Sequence, residues 1–179
     1  MTWRTHVAVG SNAIWLTGLF GKVDESILIL LPVAVIASLL PDIDATAAKI
    51  HFVGGGVLGI FKGSFHGKYF HHRGLMHSLF ITIIFFIILW IFFRNSFPFL
   101  PYIFSLSYFS HPIIDGLNTG VGYLYPFNHK TYTLVPKFFR SRVGSKIDGL
   151  LMFVGLLGIL LFFLTFAHQF FPWQPMGPI

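Results

Sequence analysis

Residues 75–93 read LMHSLFITIIFFIILWIFF, and residues 149–167 read GLLMFVGLLGILLFFLTFA. Neither stretch contains a Lys, Arg, Asp or Glu residue. A helix of about 19 residues, rising about 1.5 Å per residue, extends about 28 Å, which is close to the roughly 30 Å hydrocarbon core of a membrane. The two stretches therefore predict two membrane-spanning α-helices, and the rest of the chain is interpreted around them.

The composition also indicates a membrane protein. Of the 179 residues, 55% are hydrophobic and only 10% are charged, which excludes an ordinary soluble globular domain. The length suits one membrane-embedded domain over residues 1–179. The chain has no cysteine, so it has no disulfide, and any transition metal must be bound by imidazole and carboxylate groups.

Three further apolar segments complete a prediction of an all-α, polytopic fold with about five membrane segments. They are residues 7–21, residues 26–40, and residues 99 to about 114. The first two would be only about 22 Å long, so we expect them to pack as a short hairpin. The small residues Gly10, Gly18 and Ala34 would allow its helices to approach closely.

The N-terminus resembles a secretory signal, because Arg4 precedes an apolar run. Ser11 and Asn12 interrupt that run, and the residues before Gly21 lack the small side chains of a cleavage site. We therefore expect the segment to remain in the protein, together with His6.

Seven His and Asp residues lie at the ends of the apolar segments. They are His6, Asp42, Asp44, His72, His77, His111 and Asp115. An ionised carboxylate among apolar neighbours is costly unless a cation or hydrogen bonds compensate it. If each segment crosses the membrane once, all seven residues lie on the same side. The pattern therefore predicts one metal site at a membrane surface.

Individual motifs leave alternatives open. His111 and Asp115 would share a helix face if the helix continues through Pro112, whereas a new turn beginning at Pro112 would separate them. A simple buried His–Asp pair is the alternative to a metal site. Asp42 is the better ligand of the PDID motif, because Asp44 also fits a helix N-cap. Arg73 suits bidentate binding of a phosphate, whereas the alternative is an interfacial anchor with Ser78 capping a helix.

The positive charges predict the orientation. Ten of the twelve Lys and Arg residues fall on the side of the candidate ligands, and only Lys22 and Arg94 fall on the other. The positive-inside rule therefore places the candidate site in the cytoplasm, at the inner membrane of the cell. Because the basic residues lie in short loops between apolar segments, we expect membrane lipids rather than nucleic acid as partners.

Four motifs together resemble those of the YdjM family of inner-membrane proteins. They are the early His6, PDID at 41–44, HRGxxHS at 72–78 and SHPxxD at 110–115. The resemblance covers most of the chain and implies a multi-span membrane protein, with metal-dependent hydrolysis as the suggested activity. A looser similarity to zinc-dependent bacterial phospholipases C points to phosphodiesters. His71, Asn118 and Thr119 match no ligand of these patterns.

Taken together, these features predict a membrane-bound hydrolase that binds one or two divalent ions, Zn²⁺ or alternatively Mn²⁺. Its substrate would be a phosphoester of a phospholipid or a lipid-linked compound, with Asp42 and Arg73 as catalytic residues. One alternative is a non-catalytic metal-binding membrane protein, such as a sensor or an assembly factor. An ion transporter fits less well, because its polar residues would occupy both halves of the membrane. The oligomeric state is left open.

Overall fold

The fold was analysed in a computed structural model, which describes residues 1–18, 26–44, 73–140 and 143–170. At residues 26, 43, 44, 139 and 166–170 only the backbone is described. Within these ranges the regular structure is helical, as predicted. The described residues contain no β-strand, only an isolated antiparallel bridge between Val121 and Tyr132.

The α-helices are short except for the last three. Their bounds are α1 Trp3–Gly10, α2 Ala13–Gly18, α3 Ser26–Ile29, α4 Leu31–Leu39, α5 Leu79–Phe93, α6 Leu100–Gly116 and α7 Lys146–Phe170. Short 3₁₀ helices cover Leu40–Asp44, Leu75–His77 and Lys137–Phe139. The 3₁₀ helix Leu40–Asp44 directly follows α4 and carries Asp42, and the 3₁₀ helix Leu75–His77 directly precedes α5 and carries His77.

The first two apolar segments are interrupted rather than continuous helices. Asn12 separates α1 from α2, where its Nδ2 donates hydrogen bonds to the carbonyls of Ala8, at 2.7 Å, and Gly155, at 2.9 Å. An amide side chain bonded to the backbone competes with the regular helical pattern. In the second segment, α3 ends before Leu30 and α4 begins with Pro32 in its first turn, a position that tolerates the missing N–H group.

Helix α1 lies at the centre of the bundle and packs against α4, α6 and α7, while α5 packs against α6. A Cβ atom on Gly10 would lie 2.5 Å from Ser38 Cβ and 2.9 Å from Ser107 Oγ. The close helix approach predicted at Gly10 is therefore confirmed. Ala34, on α4, is fully buried beside this contact, and its carbonyl accepts a hydrogen bond from Ser107 Oγ at 2.5 Å.

A buried carboxylate joins the first turns of α1 and α7. Asp148 accepts hydrogen bonds from the backbone N–H of Thr2, at 3.1 and 3.3 Å, and from that of Gly144, at 2.8 Å, and also from the Thr5 hydroxyl. Several donors compensate for the loss of solvent, and the start of a helix favours a negative charge. Asp148 thus fixes the end of α1 that carries His6.

The outer surface is strongly apolar. Ile91 and Phe92 on α5 and Phe153 and Leu164 on α7 are between 59% and 73% exposed, which suits contact with lipid. Among the described residues, one helix is long and apolar enough to cross a membrane, over Lys146–Thr165. Helix α5 is shorter, with 15 residues. The number of membrane segments, about five, therefore stays a prediction.

Candidate metal centre

The ends of four helical elements meet at one buried cluster. His6 comes from α1, Asp42 from the 3₁₀ helix after α4, His77 from the 3₁₀ helix before α5, and His111 and Asp115 from α6. Helix α6 continues through Pro112, so no new turn begins there. His111 and Asp115 consequently lie one turn apart on one helix face.

Four of these residues have donor atoms at separations that suit a shared ion. His111 Nε2 lies 3.4 Å from Asp42 Oδ1 and 4.0 Å from Asp115 Oδ2, and His77 Nε2 lies 3.7 and 3.8 Å from the same two oxygens. Zinc binds such atoms at about 2.0–2.2 Å, so two ligands of one ion are at most about 4.4 Å apart. All four donor atoms lie within 4.8 Å of one another, so they fit one ion after a small contraction.

The tautomer of His111 can be inferred from its second nitrogen. Nδ1 lies 2.7 Å from the carbonyl oxygen of Ser38. A carbonyl only accepts hydrogen bonds, so Nδ1 carries the proton, and in the neutral ring Nε2 has a lone pair. Among the described residues Nε2 has no hydrogen-bond partner, and it is buried facing two carboxylates. A lone pair facing anionic oxygens is unfavourable unless a proton or a metal cation lies between them.

Asp115 directs its two oxygens to different neighbours. Oδ1 accepts a hydrogen bond from the amino group of Met1 at 2.9 Å and lies 3.4 Å from His6 Nε2. Oδ2 accepts one from Arg73 Nε at 3.1 Å and faces His77 and His111. The carboxylate therefore lies beside His6 with one oxygen and faces His77 and His111 with the other.

His6 completes the buried wall. Its ring stacks on that of His111, with centroids 3.7 Å apart and planes within 10°. Burial lowers the pKa of the His6 imidazole to about 4, so this ring is neutral near pH 7, the form that binds metal. The side chains of His6, His77 and His111 are at most 1% exposed, whereas Asp42 is 27% exposed. Solvent therefore reaches the cluster at Asp42.

Arg73 lies at the same open side with an unusual backbone. Its φ angle is +65°, in the left-handed region, and its side chain is 27% exposed. Its carbonyl accepts a hydrogen bond from Gly122 N at 2.9 Å. A Cβ atom on Gly122 would come within 3.1 Å of that carbonyl, so glycine permits the contact. Backbone conformations of this kind cost about 1–3 kcal/mol and persist where the surroundings impose them.

The comparison with protein families agrees with these motifs. A family model described as YdjM inner membrane protein matches residues 1–173. The chain belongs to the YdjM family. The match includes every candidate ligand from His6 to Asp115. No curated protein and no solved structure matches the chain.

Two polar groups of this YdjM protein near the cluster have shifted acidities. Burial would raise the pKa of the Asp42 carboxyl group, but the nearby imidazoles of His111 and His77 outweigh it and hold that pKa well below its usual range. Burial, together with the charge of Asp115, raises the pKa of Tyr123 to about 12. Tyr123 therefore stays protonated and donates to the Pro112 carbonyl at 2.8 Å.

The structure brings together most of the residues predicted for the site. His6, Asp42, His77, His111, Asp115 and Arg73 form one cluster, although their roles as ligands or catalytic groups remain predictions. His72 and the side chain of Asp44 lie outside the described part of the chain. His129 is exposed and contacts Tyr125 at the molecular surface, as expected for a surface histidine. Ser78 caps α5 by accepting a hydrogen bond from Ile81 N, a feature of the alternative interpretation of this stretch.

Sequence reasoning missed three contributors to the cluster. The Ser38 carbonyl orients His111, Gly122 supports the backbone of Arg73, and Tyr123 bonds to the carbonyl of Pro112. Each of these contacts involves a backbone carbonyl or N–H group, so the identity of the residue does not predict the contact. The run of aromatic residues around Tyr123 indicated only an interfacial loop.

Proposed function

We propose that this YdjM-family protein is a membrane-bound, metal-dependent hydrolase that cleaves a phosphoester of a phospholipid or a lipid-linked substrate. The carrying observation is the buried Nε2 of His111, whose lone pair faces Asp42 and Asp115. Such an arrangement is stable when a cation lies between these groups.

Asp42, His77, His111 and Asp115 would hold the first divalent ion. Mixed imidazole and carboxylate donors suit Zn²⁺, with Mn²⁺ as the alternative. His6 and Oδ1 of Asp115 offer donors for a second ion, and Asp44 and His72 are the further ligands predicted for it. Asp115 would then belong to both sets of ligands, with Oδ1 beside His6 and Oδ2 beside His77.

A bound divalent ion lowers the pKa of water from about 15.7 toward about 7 and neutralises charge on the leaving oxygen. The chain would supply the remaining parts. Asp42 lies at the solvent-exposed side of the cluster, where its Oδ2 would accept the proton of the attacking water. Arg73 bonds to Asp115 through Nε, and its terminal nitrogens would bind the phosphate oxygens and orient the phosphorus.

A lipid substrate is supported by the surroundings of the cluster. The first turn of α7, the candidate membrane-crossing helix, is hydrogen-bonded to the first turn of α1, next to His6. Ten of the twelve basic residues are predicted on the same side and would attract anionic head groups. In this proposal the site faces the cytoplasm from the inner membrane, and nucleic acid is not a partner.

The test combines metal analysis with a lipid assay. Purified protein should contain one or two equivalents of zinc or manganese by elemental analysis, and it should release the phosphate head group from phosphatidylglycerol vesicles. Chelation by EDTA and the substitution Asp42→Asn should each abolish the release, because they remove the ion and the proposed base. His129→Ala, at an exposed histidine outside the cluster, is the matched control. Head-group release that persists in Asp42→Asn would contradict the proposal.

A non-catalytic metal centre is the second candidate, favoured by one observation. Of the five candidate ligands in the cluster, the three histidines are at most 1% exposed, as in closed structural sites. Stoichiometric metal without turnover of phosphatidylglycerol or a soluble phosphodiester would favour this function over the hydrolase.

A further inference from the structure

An apolar groove of about 540 Å³ lies between α1, α2, α6 and α7. Its walls include Leu106 and Ile113 from α6, and Val154, Leu157 and Leu161 from α7. None of the candidate metal ligands whose side chains the structure describes lines it. The groove is therefore a feature distinct from the metal centre.

The length of the groove matches one leaflet of a membrane. On α7 its lining runs from Leu151 to Leu161, which corresponds to about 15 Å at about 1.5 Å per residue. The hydrocarbon core of a membrane is about 30 Å thick, so one leaflet contributes about 15 Å. An extended acyl chain of one leaflet therefore has the length of the groove.

One end of the groove lies level with the metal centre. On α6 its last lining residue is Ile114, directly before Asp115, and on α1 it begins at Val9, three residues after His6. Each of these steps is shorter than one helical turn, or about 5.4 Å along the axis. A molecule lying along the groove would thus have its end at the depth of the cluster.

We propose that this groove binds one acyl chain of the lipid substrate and holds its phosphate head group at the depth of the metal centre. The candidate membrane-crossing helix forms one wall, so the groove faces the hydrocarbon region. The inference rests on the proposed function only in taking a phosphate-bearing lipid as the substrate.

The proposal can be tested by photo-crosslinking, which needs no turnover. Full-length protein is reconstituted in vesicles containing phosphatidylglycerol with a diazirine in the middle of one acyl chain. Val154→Trp fills the groove, and Leu156→Trp is the matched control, because Leu156 does not line the groove and has a similar exposure, 51% against 55%. Both residues are on the surface, so both variants should fold.

The expected result is crosslinking to the groove residues of α6 and α7 in the unmodified protein and in Leu156→Trp, and its loss in Val154→Trp. Uniform labelling of all lipid-facing helices that Val154→Trp does not change would overturn the proposal. A dimer that Val154→Trp dissociates, seen by native mass spectrometry, would also overturn it, since a second copy would then fill the groove. Labelling of the groove without any hydrolysis would refute the proposed function alone.

Discussion

At the scale of single residues, His111 is the clearest indicator of a bound cation. Its Nδ1 is fixed by the Ser38 carbonyl, so its Nε2 lone pair points at two carboxylates. We predict that His111→Ala removes most of the bound metal, because the ion loses the imidazole ligand that faces both Asp42 and Asp115. Metal per protein is measured by elemental analysis.

His129→Ala provides the control for His111→Ala. The His129 ring is exposed, lies outside the metal centre and packs against Tyr125. This variant should keep the full metal content. Equal metal in the two variants would show that the buried cluster is a polar core without an ion.

Arg73 gives a second prediction, about orientation rather than metal binding. Lys keeps the positive charge but lacks the planar fork that reaches both Asp115 and a phosphate. We expect Arg73→Lys to keep its metal and to lower kcat/KM for phosphatidylglycerol by about 10–100-fold, the usual effect of losing a partner of a metal ligand. The measurement is steady-state kinetics alongside elemental analysis.

The comparison variant for Arg73→Lys is Arg73→Gly, because glycine adopts a φ angle of +65° without strain. It removes the side chain and should therefore be as inactive as Arg73→Lys or more so, while remaining folded. Unchanged kinetics in both variants would exclude Arg73 from substrate binding.

Residue types predicted much of the cluster, but not its hydrogen bonds. The i, i+4 spacing of His111 and Asp115, and the acidic PDID motif, marked polar groups that apolar surroundings make costly. Asp148 directly precedes the apolar stretch 149–167 and is one of only six acidic residues in the chain. Its position therefore carries the same kind of signal, although the predicted site does not include it. Its partners are backbone N–H groups of Thr2 and Gly144, which only the three-dimensional structure identifies.

At the scale of elements, the apolar segments were easier to recognise than the breaks inside them. Ser11 and Asn12 are polar interruptions of the first apolar segment, and α1 ends at Gly10, directly before them. Part of the cause is distant in sequence, because Asn12 also bonds to the Gly155 carbonyl on α7. A local sequence pattern contains no information about such a contact. The sequence around Asn12 therefore fits two short helices and one continuous helix with a polar face equally well.

Two glycines in different helices should respond oppositely to the same substitution. Gly10→Ala places a Cβ atom 2.5 Å from Ser38 Cβ and should push α1 away from α4 and α6, lowering the unfolding temperature in detergent. Overpacking of this kind costs about 1–3 kcal/mol. The displaced helix also carries His6, so metal content should fall with stability.

Gly149→Ala is the matched control on α7, where nothing lies within 4 Å of the added Cβ atom. Alanine is favoured over glycine inside a helix by about 1 kcal/mol, so this variant should keep or gain stability. If Gly10→Ala unfolds at the same temperature as Gly149→Ala, the close contact at Gly10 does not contribute to stability.

At the scale of the whole molecule, the clustered ligands support the reasoning that placed them on one side of the membrane. His6, Asp42, His77 and His111 come from different elements, so a random arrangement would not bring them together. The count assumes that each apolar segment crosses the membrane once, whereas α1 and α2, with 8 and 6 residues, are each too short to cross alone. The count does not give the number of crossings, since only α7 has the length and hydropathy to span alone among the described helices.

The orientation leads to the last prediction. The chain has no cysteine, so single cysteines report one position each. Lys137→Cys, in the exposed loop before α7, should resist a membrane-impermeant thiol reagent in intact spheroplasts, whereas Arg94→Cys, after α5, should react. The reason is the predicted distribution of basic residues, ten against two, from which the positive-inside rule predicts that the Lys137 side lies in the cytoplasm. Both cysteines should react after the membrane is permeabilised, which controls for burial. Labelling of Lys137→Cys alone in intact spheroplasts would reverse the orientation and place the metal centre outside the cytoplasm, where it would meet lipids of the outer leaflet.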